Sequence, residues 1–170
     1  MTPDSLKTAS TDELKLVLSF FPRVNTMLSL ILAINTGMLG ILAANAPSIR
    51  VMTWPMIIAA IVTVVAIAVS IVFLYRGAFP NLDGGHDSLI YFREIARRAE
   101  HKFIEEFKIQ SEDAYINDIL SQVWRNSEIL RAKFDSLKMA FVSTAIAIVP
   151  WVLSLALFVA HNNAASLLVR

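Results

Sequence analysis

Between Met139 and Ala160 the chain carries no charged residue, and the helix expected there is already under way at Ser111. From Ile116 the apolar residues fall at Ile116, Leu120, Val123, Leu130, Phe134, Leu137 and Phe141, with Ser127 at the one polar step of a 4-3-4-3 rhythm. Neither Gly nor Pro interrupts the run before Pro150. The pattern predicts one helix that offers a single apolar stripe at first and becomes apolar on every side from Met139 onward. At about 1.5 Å per residue, residues 111–160 make a rod of roughly 75 Å, against a hydrocarbon core of about 30 Å. A rod with one half in lipid and the other in water links events in the two media.

The rest of the sequence fits a membrane protein. Hydrophobic residues make up 56% of the 170, and the mean hydropathy is +0.59, above the roughly 45–50% apolar content of soluble domains. The formal net charge is +1, with most charges in two blocks separated by clean apolar runs. There is no cysteine, which excludes disulfides and thiolate metal sites.

Residues 1–21 read as a polar start followed by a short amphipathic helix at the membrane surface, N-capped by Ser10 or Thr11. Acids in this segment and the lack of a small-residue cleavage site argue against a cleaved signal peptide. Pro22 and Arg23 open a first span over 24–44 that is uncharged but dotted with polar groups. Asn35 lies near mid-depth, where an amide bonds a neighbouring helix or lines a path through the bilayer. Residues 45–53 connect to Trp54-Pro55, an interfacial aromatic with a helix-starting proline, and a second span over 55–75 is expected to face lipid. Pro80 and Gly84-Gly85 mark a loop ending in a helix-entry turn capped by Asp87 or Ser88. A phosphate cradle over 83–87 is the weaker reading, because no Lys-Ser or Lys-Thr follows the glycines.

Residues 77–138 read as a helical hairpin. Its first arm, 88–110, presents Leu89, Phe92, Ala96, Ala99, Phe103 and Phe107 on one face, and the tip falls at Gln110-Ser111. The third span covers 139–160, and 161–170 form a short tail. Ten basic residues lie in 76–138 and three before residue 24, against one in 45–53 and one at the C-terminus. By the positive-inside rule the N-terminus and hairpin are cytoplasmic and the C-terminus is outside. The expected fold is thus all-α, with three transmembrane helices and a cytoplasmic hairpin, assembled as a homo-oligomer through the heptad seam and the polar first span.

No enzyme is expected. His86, His101 and His161 are scattered, and no nucleophile elbow, P-loop or dinucleotide fingerprint is present. No cofactor, metal or nucleic-acid partner is implied. The hairpin does carry groups suited to a small anion with a flat ring. Arg97, Arg98 and Lys102 form one basic patch, Arg131 and Lys133 a second; Tyr91 and Trp124 can stack on a base, and Asn126 can read its edge. The competing reading is an ordinary polar flank with juxtamembrane cations for anionic lipid.

Several stretches in fixed order carry a family resemblance. They are Arg23-Val24-Asn25 leading into Leu28–Asn35, two close spans, Tyr91-Phe92-Arg93-Glu94-Ile95-Ala96, and Asn126 and Ile129 with Arg131 and Lys133 before a last span. In this the chain resembles the transmembrane effectors of Pycsar anti-phage systems over roughly residues 20–160. The resemblance implies an inner-membrane effector activated by cyclic CMP or cyclic UMP from a companion cyclase, which damages the membrane and aborts infection. Alternatives are a ligand-independent scaffold using the hairpin, and a holin-like pore former. Pro150 is expected to kink the last span.

Overall fold

The computed structural model describes residues 2–79, 85 and 87–168, with side chains up to residue 164. Five α-helices and a 3-10 turn account for nearly all of it: α1 (Pro3–Asn45), the turn at Ile49–Val51, α2 (Trp54–Ala78), α3 (Phe92–Arg97), α4 (Glu100–Ile109) and α5 (Glu112–Leu168). No strand occurs among the described residues, and α1, α2 and α5 are each long and apolar enough to cross a membrane. The chain divides into two compact units, Met1–Val24 with Pro80–Lys133, and Asn25–Phe79 with Phe134–Arg170.

The N-terminal region corrects the sequence reading. Instead of a short surface helix followed by a separate span, α1 is a single helix with Pro22 inside it. Thr2 caps it, its Oγ1 accepting the Ser5 amide at 3.3 Å, whereas Thr11 turns its hydroxyl onto the Lys7 carbonyl at 2.8 Å as a mid-helix residue does. A proline removes one hydrogen bond from a helix. Val17, Val24, Leu28 and Ile31 nevertheless remain buried at helical spacing on either side of it, and that packing carries the helix through.

The water-side unit also departs from expectation. Residues 88–110 are two helices, broken at Arg98 and Ala99, where the backbone is extended with ψ of 151° and 142°. The expected apolar face is divided accordingly: Leu89 is buried, while Phe92 is 65% exposed. The predicted tip at Gln110-Ser111 is present. Ser111 Oγ accepts the Ala114 amide at 3.2 Å, and Phe107 meets Tyr115 edge-on across the turn at 6.2 Å, so α4 and α5 form the hairpin.

On α5 the predicted seam splits. Ile116, Val123, Leu130 and Leu137 are buried or half-buried, but Leu120, Ser127, Phe134 and Phe141, the other position of the heptad, are exposed. Burial follows instead a face through Ile119, Gln122, Ile129 and Lys133, then Ala140, Thr144 and Ala147. One apolar row is enough for packing within the chain, which leaves the second row facing outward.

In the membrane-spanning unit α2 is more than a lipid-facing span. Met56, Ala59, Thr63, Ile67, Ser70, Leu74 and Gly77 form a buried stripe along it, and both of its interior polar residues point inward. Gly77 is required by close approach. A Cβ there would meet the Leu28 side chain at 3.0 Å and Ser136 Cβ at 3.2 Å, as small residues commonly permit between spanning helices. Met38, Ile67 and Ala147 form one apolar cluster, and Leu42, Met56 and Phe158 another. Helix α5 runs on past the predicted end of the span, and Asn162 Nδ2 donates to the Asn45 carbonyl at 3.0 Å.

Candidate functional site

Asn35 is fully buried, and the structure gives it two partners on two other helices. Its Nδ2 donates to Ser70 Oγ at 2.8 Å, and its Oδ1 accepts from Thr144 Oγ1 at 3.1 Å. Ser70 Oγ lies 2.9 Å from Thr144 Oγ1, and both hydroxyls also reach the Ala140 carbonyl at 3.0 Å. A ring in which Asn35 donates to Ser70, Ser70 to Thr144, and Thr144 back to Asn35 uses each hydroxyl proton once. Such rings strengthen in a low dielectric, and in lipid they tie helices together at about 0.6–2 kcal/mol per bond. Asn35 therefore joins the three spans of its own chain and does not project toward a second copy.

A second polar contact lies further along the same helices. Thr63 Oγ1 and Ser154 Oγ are 3.4 Å apart, and Ser154 donates to the Pro150 carbonyl at 2.7 Å. Pro150 has no amide to offer the preceding turn, yet α5 continues through it. Trp151 secures this level by donating from Nε1 to the Met38 carbonyl at 2.9 Å.

In the water-side unit Arg98 is the centre of a clamp. Its guanidinium donates to the carbonyls of Ser88 (3.0 Å), Glu94 (3.0 Å) and Asp87 (2.9 Å), and its Nε to Glu106 Oε2 at 2.9 Å. Only 14% of the side chain is exposed. Arg98 thus ends α3 by drawing the chain back onto the preceding turn, and this accounts for the break that the apolar spacing does not indicate. Ser88 Oγ accepts the amides of Ile90 and Tyr91 at 3.1 and 2.9 Å, which closes a turn ahead of the helix; the expected cap at Asp87 or Ser88 is corrected, because α3 begins only at Phe92 with Tyr91 at its N-cap and no side-chain cap bond. Asp118 Oδ2 accepts the Leu89 amide from α5 at 2.8 Å. Gly85 has φ of +71°, and a Cβ on it would lie 2.8 Å from the Tyr91 ring. The remainder of the glycine cradle, residues 83, 84 and 86, lies outside the described residues.

The other candidate ligand residues do not gather into one patch. Arg97, 60% exposed, pairs with the buried Glu94 at 2.6 Å, and Lys102 approaches Glu106 at 3.7 Å. On α5, residues two apart point about 200° away from each other. Trp124 (66% exposed) and Arg131 face outward, whereas Asn126 is half-buried and Lys133 buried. Asn126 Nδ2 donates to the Gln122 carbonyl at 2.8 Å, and Gln122 Nε2 reaches Ser88 Oγ at 3.3 Å, on the side where Tyr91 covers Gly85. Burial holds the Lys133 amine below the ordinary lysine pKa. No cluster of metal-ligating side chains exists among the described residues.

Sequence reasoning missed the Arg98 clamp and the Ser70–Thr144 pair. The only available signal for the pair was that α2 and α5 each place a hydroxyl residue deep within an apolar run.

Comparison with curated proteins and with solved structures finds no match. A family model described as the Pycsar effector protein domain matches residues 10–160, which takes in all three spans and the water-side helices between the second and the third. Three spanning helices tied by a buried polar ring, one of them prolonged into a hairpin outside the membrane, form the frame on which that match lies, and the chain belongs to the Pycsar effector family, membrane effectors of anti-phage defence.

Proposed function

We propose that this effector is switched on by cyclic CMP or cyclic UMP, made by a companion cyclase, and then breaches the inner membrane so that infection aborts. The protein is not an enzyme in this reading. Its N-terminus and water-side helices lie in the cytoplasm and its C-terminus outside, as the excess of basic residues in 76–138 favours.

One observation carries the ligand assignment. Trp124 and Arg131 stand exposed one heptad apart on α5, facing away from the side on which the chain packs. An indole supplies a stacking platform worth about 1–3 kcal/mol per base, and a guanidinium engages a phosphodiester with two parallel donors. Because Asn126 and Lys133 face the opposite way, one protomer does not surround a nucleotide held by Trp124 and Arg131. A second protomer completes the site, packing against the outward Leu120 and Trp124. The homo-oligomer is then part of the sensor.

Helix α5 contributes residues to both units, so a ligand that draws its water-side half against a neighbour also acts on the segment holding Thr144. The transition need only weaken the ring of Asn35, Ser70 and Thr144 for the spans to repack. Moving such an equilibrium from about 1:99 to 99:1 requires about 5.5 kcal/mol of preference for the active state, which several equivalent sites in an oligomer share.

The test uses the full chain in detergent and in liposomes. Cyclic CMP or cyclic UMP should raise the melting temperature and release entrapped dye, 5′-CMP should do neither, and Trp124→Ala with Arg131→Glu should abolish both responses. No thermal shift with any cyclic mononucleotide removes the sensing half, and a shift without dye release removes the membrane half. Loss of a bound protein partner on Arg131→Glu, with no nucleotide response in the parent, identifies a scaffold instead.

A further inference from the structure

The outward face of the membrane-spanning unit is not smooth. Between α1 and α5 runs a groove of about 510 Å³, bordered by Met27, Leu30 and Ile34 on one side and by Phe134, Phe141 and Ile148 on the other. The α5 border repeats at seven residues and the α1 border steps by three and four, so the groove follows the helices. α5 lines it from Phe134 to Ile148, roughly 21 Å at about 1.5 Å per residue, and α1 from Met27 to Ile34, roughly 10 Å, so the stretch with two walls covers about two thirds of one leaflet of a bilayer whose hydrocarbon core is about 30 Å thick. Its walls remain open, with Leu30 60% and Phe141 63% exposed.

The charge of the lining identifies the occupant. Lys138 is the one ionisable residue there, and it is the last charge before the apolar run from Met139 to Ala160, so it sits in the part of the groove nearer the headgroups, beside Phe134 and Leu137. Thr144 adds the other polar side chain, and its hydroxyl is engaged with Asn35 and the Ala140 carbonyl. An amphiphile with an apolar tail and an anionic head matches this pattern of a long greasy slot with a cation toward one end. A second copy matches it poorly. Across Asn25–Phe79 and Phe134–Arg170 the only acidic residue is Asp135, so another membrane-spanning unit brings almost no counter-charge to Lys138.

We infer that this groove is a binding site for an anionic phospholipid of the leaflet adjoining the charged helices, with one acyl chain between α1 and α5 and the phosphate on Lys138. The site is separate from the nucleotide assignment and stands whether or not that assignment does. It also makes the fit between α1 and α5 in the resting bundle depend on the membrane's anionic lipid.

The experiment compares the melting temperature of the full chain in nanodiscs of dioleoylphosphatidylcholine with that in discs containing dioleoylphosphatidylglycerol. Phosphatidylglycerol should raise it by about 2–4 °C, the shift expected of a single lysine–headgroup contact in a chain of this size. Lys138→Gln should erase the difference between the two lipids, and Leu30→Trp, which fills the slot, should erase it while the protein remains folded by circular dichroism. Equal melting in both lipids, or a preference that survives Lys138→Gln, overturns the assignment. The chain has no cysteine of its own, so a Phe141→Cys variant adds an independent check. Efficient disulfide cross-linking in both lipids would place a second copy in the groove and also overturn it, whereas its absence at this position supports the lipid.

Discussion

Thr144 donates a hydrogen bond to Asn35 at 3.1 Å across 109 positions of sequence, and with Ser70 it forms a buried contact that joins all three spanning helices through side chains. The arrangement predicts an unequal response to removing its members. Thr144→Val keeps the shape but leaves the Asn35 carbonyl oxygen without its donor, and should lower stability by about 1 kcal/mol, a fall in melting temperature of about 2–4 °C. Asn35→Leu should cost less, because the two hydroxyls left behind still bond each other and the Ala140 carbonyl. Thermal melts of the two variants in the same detergent decide the order; the reverse order would show that the amide, and not the ring, carries the contact.

Gly77 tests how closely the spans approach. With Leu28 and Ser136 at 3.0–3.2 Å from any Cβ, Gly77→Ala requires the Leu28 side chain to yield and α5 at Ser136 to move by a few tenths of an ångström, whereas Gly77→Leu overpacks the junction and should destabilise by about 1–3 kcal/mol. Resistance to unfolding in sodium dodecyl sulfate should fall slightly for the first and steeply for the second.

Arg98 and Arg97 are adjacent and should respond unequally. Arg98→Ala strips three backbone carbonyls and Glu106 of a charged donor and should cost about 2–3 kcal/mol of local stability. Hydrogen exchange of the amides from Leu89 to Arg97 should accelerate accordingly. Lysine should rescue little, since a single ammonium does not span that fork of acceptors. Arg97→Ala frees no backbone carbonyl but leaves the buried Glu94 carboxylate without its ion pair, and should cost about 1 kcal/mol, less than Arg98→Ala.

Lys133 predicts a pH dependence. Burial lowers its pKa from the ordinary 10.5, so between the folded value and 10.5 the unfolded chain holds more protons than the folded one. Stability therefore rises with pH through that window, and the destabilising contribution is complete below it. Lys133→Met should remove this slope. Denaturation midpoints from neutral pH upward check it, and an unchanged slope would assign the effect to another group.

Much of this protein was legible without coordinates. Long charge-free runs in α1, α2 and α5 require helices, because a backbone in lipid has to satisfy its own hydrogen bonds. The hairpin tip at Gln110-Ser111 followed from a break in periodicity beside acids that start a helix. Facing was harder to read. In a bilayer every side of a span can be apolar, so hydropathy does not say that Thr63 and Ser70 turn inward or that Phe141 turns outward. On α5 the heptad offered two apolar rows, and only packing shows that Val123 and Leu130 are used within the chain while Leu120 and Phe134 are left outside.

The candidate ligand residues divide along the same line. Their chemistry follows from residue type: aromatic faces, guanidinium forks and an amide near the base of a charged helix. The 200° between Trp124 and Asn126 also lies in the sequence, as helical geometry, but it gains meaning only once α5 has an inside, which Ile119, Gln122 and Lys133 define by being buried. Likewise Arg98 is one of three neighbouring cations in the sequence and becomes a clamp only because the chain turns back at Ser88. The sequence by itself determined that this is a three-span helical membrane protein with a charged hairpin, since transfer free energy and helical periodicity are local properties. The tertiary structure alone decided which polar groups meet, because the contacts of Asn35, Ser70 and Thr144 are fixed by how three separate helices pack.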